Sequence, residues 1–242
     1  MQLLSSSPTD AVQSGAPAIA SLGIEARLGF LQKTYGLFTA GIGVSAVGAY
    51  VGTSALMAGA YPAPLLSPLV GLIGYLVAFF AVYMLRKVPV VNIVALLAFT
   101  FVSGLMMSPL LVFTLMSKGM AVGLANIMTA FVGTTLAFGG LSAYVFISRK
   151  DFSYLGGFLC VMLLGIIGFS LCTWIFGIQV GAGTWIAFNV FGLAVMCGFV
   201  LYDTSMILHH YAEDEYVMAA LALFLDFILI FKYLLRLLNS RD

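Results

Sequence analysis

Two aspartates carry the chemistry of this 242-residue chain. Asp203 sits in the apolar run FVLYDTSMIL, and Asp226 sits in ALFLDFILIF. A charged side chain at the centre of a membrane helix costs roughly 2.5–3.5 kcal/mol on insertion scales, and such residues usually face the bundle interior and serve a function. Two carboxylates that share a low-dielectric site cannot both ionise cheaply, so the pair holds one proton between them. That makes a proton-responsive element. It is also a hard oxygen site that Ca²⁺ would accept, with carbonyls and water completing the shell. The alternative is two isolated acids, Asp203 snorkelling to the interface and Asp226 paired with Lys232 or Arg236.

Other polar groups fall within reach of the pair. Arg86 closes the second apolar run at a depth close to that of Asp203, so a salt bridge between them fits the geometry. Asn92, Thr100 and Ser103 lie within about 80° of one another on the third run, at about 100° per residue. Asn189 and Asp203 are 14 residues apart, nearly four turns, and share a face of the sixth run. These side chains either bond across helices or line a polar path. Lys232 and Arg236, spaced i,i+4, are expected to snorkel. His209 and His210 are adjacent in sequence, so their rings point apart and make no metal site by themselves; loop solvation is the expected state, with pH modulation the alternative.

The composition decides where these residues stand. Hydrophobic residues make up 62% of the chain and charged residues 8%, against roughly 25% charged in soluble domains. This is a polytopic membrane protein. The net charge of +1 says nothing about nucleic acid, but no basic patch is there to neutralise phosphates, and no nucleic-acid partner is expected. Cys160, Cys172 and Cys197 lie in apolar runs with no CxxC pair, and neither a disulfide frame nor a zinc site is expected. No cofactor motif or enzymatic signature is present. An intramembrane aspartyl protease would need Gly-x-Gly-Asp at the second acid, where this chain has Phe224-Leu225-Asp226.

Seven runs are long enough to span a bilayer, which takes about 20 residues: about Leu28–Val51, Pro64–Leu85, Val88–Phe113, Ala121–Ile147, Tyr154–Phe176, Thr184–Leu208 and Tyr216–Leu238. Residues 1–27 form an expected flexible tail without signal-peptide features, and 28–242 form one transmembrane domain. Arg27, Lys33, Arg86-Lys87 and Arg149-Lys150 fall on one side and Lys118 on the other, which places the N-terminus in the cytoplasm. The seventh run breaks the rule by carrying Arg236 and Arg241 outward, so it either crosses as a short interior helix or dips in and returns. Gly48-x-x-x-Gly52, Gly133-x-x-x-Ala137, Gly139-x-x-x-Ala143 and Ala194-x-x-x-Gly198 are small-residue stripes suited to close helix packing.

The stretch LYDTSMILHHYAEDEYVMAALALFLDFILIFKYLLRLL resembles the C-terminal signature of the Bax inhibitor-1 family. AFTFVSGLMMSP (Ala98–Pro109) and SAYVFISRKDFSYLGGFL (Ser142–Leu159) support the resemblance. The SRKD-S-LGG stretch and terminal SRD are similar to its proteobacterial inner-membrane branch. The resemblance covers about Leu28 to Arg241. It implies an all-α bundle of seven helices, with the C-terminal helix central and wrapped by the other six. It also implies a pH-sensitive calcium leak, with Asp203 and Asp226 as the sensor and Arg86 as a latch. A bacterial inner (plasma) membrane is implied, with an endoplasmic reticulum membrane as the alternative. The branch is linked to an ATP-dependent membrane protease, so a non-conducting regulator bound to such a protease is the competing expectation.

Overall fold

The computed structural model describes residues 23–61, 68–117 and 119–240. Most of the expected N-terminal tail, the loop around Pro62, Lys118 and Arg241 lie outside the described residues. The fold is an all-α bundle: α1 Ile24–Met57, α2 Pro68–Leu85, α3 Val91–Ser117, α4 Met120–Ser148, α5 Gly156–Ile175, α6 Ala182–His209 and α7 Tyr216–Asn239. Short 3₁₀ turns at Ser153–Leu155 and Glu213–Glu215 precede α5 and α7. Six of the helices are long and apolar enough to cross a membrane, and the described part of α2 is a shorter apolar helix.

The chain leaves its helices where the sequence stops supporting them. Arg149 takes a left-handed φ of 52° and ends α4, its N–H donating to the Val145 carbonyl at 2.8 Å. Val90 has φ 68° in the turn Arg86–Val90 between α2 and α3. A β-branched residue in that region is strained. Three connections, α2–α3, α4–α5 and α6–α7, gather at one end of the bundle with most of the charged residues. This is called the charged end below.

α7 is the centre of the molecule. In its most apolar window 61% of residues are buried, against 11% for α5. It packs directly on α1, α3, α4 and α6, while α2 is held through α3 and α5 through α6. Leu221, Leu223, Phe224, Ile230 and Leu235 are fully enclosed along it. Phe38 of α1 and Phe138 of α4 stack at 5.0 Å between ring centroids, and Phe227 of α7 meets both edge-on at 5.8 Å. The seventh run is one uninterrupted helix of 24 residues. At 1.5 Å per residue that is about 36 Å, enough to span a hydrocarbon core of about 30 Å. It does not dip and return.

α1 and α3 make the closest helix pair. A Cβ on Gly48 would overlap the Phe101 carbonyl, and a Cβ on Gly104 would overlap the Ser45 carbonyl. The Gly48-x-x-x-Gly52 stripe is therefore the α1 face of this contact. Gly139, by contrast, meets nothing within 4 Å among the described residues. Large apolar side chains such as Ile147 (83% exposed), Val161 (68%) and Phe176 (73%) cover the outside, as a lipid-facing surface requires.

Candidate functional site

α6 and α7 run antiparallel from the turn 210–215, which sets the depth of each acid. Asp203 lies six residues from the end of α6, about 9 Å along the helix, and Asp226 ten residues into α7, about 15 Å. Their carboxyls are within hydrogen-bonding reach of each other. Asp226 is only 4% exposed and Asp203 half-buried. The Asp226 Oδ2 atom is buried and receives no donor from any other described residue. Two carboxylates contain only acceptors, so the contact becomes a hydrogen bond once one of them carries a proton. A single shared proton is enough to turn the contact into a bond. No group of three or more His, Cys, Asp or Glu residues suited to holding a metal occurs among the described residues. Ca²⁺ would therefore find two carboxyls here and need its remaining ligands from carbonyls and water.

Arg86 is elsewhere. Its guanidinium lies over the Tyr83 ring, 4.2 Å from the centroid, and it makes no ion pair among the described residues. It lines an open cleft at the charged end with Lys87, Pro89, Asn92, Asp214 and Tyr216.

The other polar candidates are spread over three helices, and most of them bond locally. Asn92 caps the start of α3: its Nδ2 donates to the Arg86 carbonyl at 3.1 Å, and its Oδ1 accepts the Ile93 N–H at 2.8 Å. Thr100 Oγ1 donates to the Leu97 carbonyl at 2.9 Å. Ser103 is buried on the same helix. Asn189 Nδ2 donates to the Trp185 carbonyl at 2.7 Å, and its Oδ1 is buried without a partner among the described residues. Arg236 lies over the Trp185 ring, 5.8 Å from the centroid, toward the opposite end from the acids' turn.

A second polar cluster sits at the charged end, where the sequence suggested a charged turn and histidines that were solvated or pH-modulating. Asp151 Oδ1 accepts the Ser153 N–H at 2.9 Å and the Ser205 hydroxyl at 3.2 Å. Its Oδ2 meets His210 Nε2 at 3.1 Å. The Ser153 backbone N–H above all, then the Ser153 hydroxyl and His210, hold the Asp151 carboxyl well below the usual carboxylate range. The sequence signal was Asp-x-Ser at 151–153, an Asx-turn pattern. The 59-residue separation from His210 hid the rest. Tyr211, in the turn after α6, has its phenol pushed up by burial, with Asp203 and Glu215 adding to the shift.

A family model described as "Inhibitor of apoptosis-promoting Bax1" matches residues 27–242. An uncharacterised protein of Campylobacter jejuni is 33% identical over 87% of this chain and 88% of its own length. The Golgi anti-apoptotic protein of vaccinia virus is 32% identical over 92% of this chain and 90% of its own. Human Bax inhibitor 1 is 33% identical over 88% of this chain and 86% of its own. The matched span takes in α1 from Arg27, the other six helices whole and both aspartates. The chain belongs to the Bax inhibitor family of multi-pass membrane proteins.

Proposed function

We propose that this protein is a cation leak of a bacterial inner membrane, with Ca²⁺ as the permeant ion, governed by the proton shared between Asp203 and Asp226. The contact of two acids inside the bundle, one of them with an oxygen that no other described group satisfies, carries this reading. With one proton, the pair bridges α6 to α7 through a hydrogen bond. With none, the two charges repel and the site attracts a divalent cation instead. The charged end, with Arg86, Lys87, Arg149 and Lys150, faces the cytoplasm in this reading. The role is conduction rather than catalysis, and no cofactor enters it.

The test is reconstitution into calcium-loaded liposomes. Wild-type protein is expected to change its Ca²⁺ flux between pH 6 and 8. Asp203→Asn and Asp226→Asn should each flatten that profile by removing the shared proton. Unchanged profiles in both variants would remove the mechanism.

The second reading is a non-conducting regulator of an ATP-dependent membrane protease. Asn92 and Thr100 favour it, because they satisfy backbone groups near their own helix rather than facing a path. Under this reading, deletion of Met1–Ala20 abolishes the regulatory effect while both aspartate variants retain it.

A further inference from the structure

Three consecutive residues of α6 bind three different elements. Asp203 meets Asp226 on α7. Thr204 meets Ser142 on α4, their hydroxyls 3.3 Å apart. Ser205, fully buried, accepts the Phe152 N–H at 2.8 Å and donates to Asp151 at 3.2 Å, which ties it to the α4–α5 turn. His210, just past the end of α6, closes the same carboxylate from its other oxygen at 3.1 Å. One side chain on the α4–α5 turn thus grips α6 on both sides of its last turn. That turn directly follows the acid that faces α7.

We propose that Asp151, Ser205 and His210 form a clamp that tightens when His210 takes up a proton, giving the charged end of α6 a pH response separate from that of the intramembrane acids. Neutral imidazole offers Asp151 an ordinary hydrogen bond, and imidazolium offers a charge-assisted one. Imidazoles change charge between pH 5 and 8, while Asp151 remains a carboxylate throughout that interval. The groups facing His210 act in both directions. His209, with its ring centroid 6.2 Å away and its Nδ1 at 3.0 Å from the Ser205 carbonyl, opposes a second positive charge. Arg149 and Lys150, on the same turn as Asp151, add positive charge to this end of the bundle. Asp151 favours it at hydrogen-bond distance, and Glu213 lies three residues on in the α6–α7 turn. Both partners are partly exposed, at 43% and 47%, so solvent limits the tightening to about threefold in the clamp's closing equilibrium.

Two amide protons report the clamp directly: Phe152 N–H, held by Ser205, and Ser153 N–H, held by Asp151. The experiment is hydrogen exchange of the full chain in lipid nanodiscs at pD 5.5 and 7.5, with each rate divided by its intrinsic value. Wild-type protection of these amides is expected to be about threefold higher at pD 5.5. His210→Gln keeps a neutral donor and removes the charge, so its protection should be the same at both values. Ser205→Ala should lower Phe152 protection at both. Equal wild-type protection at the two values, or a step that persists in His210→Gln, overturns the proposal. Asp203→Asn must leave the step intact; if it abolishes the step, the response belongs to the intramembrane acids and the clamp is refuted. The readout needs no ion flux, so it stands whether or not the protein conducts.

Discussion

At the scale of single residues, burial means different things for groups with and without partners. Asn92 has both ends of its amide engaged, and removing it leaves the Arg86 carbonyl and the Ile93 N–H unpaired. Asn189 already has an orphaned oxygen. Asn92→Leu is therefore expected to destabilise by about 2 kcal/mol, and Asn189→Leu by under about 1 kcal/mol, because the second also removes an existing penalty. Unfolding midpoints in detergent check the contrast. Asp151 gives a pH prediction. Its carboxyl is held below the ordinary range, so its stabilisation is present above the unfolded value and lost only as pH falls through the lower folded value. Asp151→Asn should cost under about 1 kcal/mol, given its exposure. The gap to wild type should not narrow between pH 7 and 5 in urea or thermal unfolding. The types and approximate depths of the two acids were legible in the sequence. Their pairing was an expectation drawn from those depths and the short turn joining their helices; the rotation of α6 against α7 that it requires leaves no mark in the sequence.

At the scale of elements, the close approach of α1 and α3 depends on the absence of a side chain at the crossing. Gly104→Ala would push a methyl group into the Ser45 carbonyl. We expect a loss of about 2 kcal/mol or more. Gly139→Ala, where nothing lies within 4 Å, should be neutral or slightly stabilising through helix propensity. The pair measured together separates packing from propensity. Both glycines sit in apolar helices and look alike in sequence. Spacing alone nominates a stripe, and only the neighbouring helix decides whether the stripe is used. For α7 the sequence pointed two ways, because Asp226, Lys232 and Arg236 interrupt its apolar run. The structure resolves this: Asp226 faces into the bundle, and Arg236 lies in the helix's last turn over Trp185. A continuous helix then carries all three.

At the scale of the whole molecule, charge is segregated. Among the described residues the acids other than Asp226 belong to one end of the bundle, with Glu25, Asp151, Asp203 and Glu213–Glu215, and the basic turns 86–87 and 149–150 share that end. With the native cysteines replaced, a cysteine at Lys150 should react with a membrane-impermeant thiol reagent only in inverted vesicles. One at Ile178, in the α5–α6 connection, should react only in intact cells. The opposite pattern would invert the orientation read from the basic turns.

The sequence by itself determined the class of molecule, the number of helices and their approximate ends. These follow from apolar run length and turn chemistry, which are local properties of the chain. It also nominated the two acids, since a carboxylate in an apolar run stands out against any composition. The tertiary structure decided which helices α7, the expected centre, packs on directly, that Arg86 lies over Tyr83, and that Asp151 reaches Ser205 and His210. Each of these depends on how helices rotate and approach one another. Those rotations are set by packing among residues tens to hundreds of positions apart, and periodicity along a single helix carries no record of them.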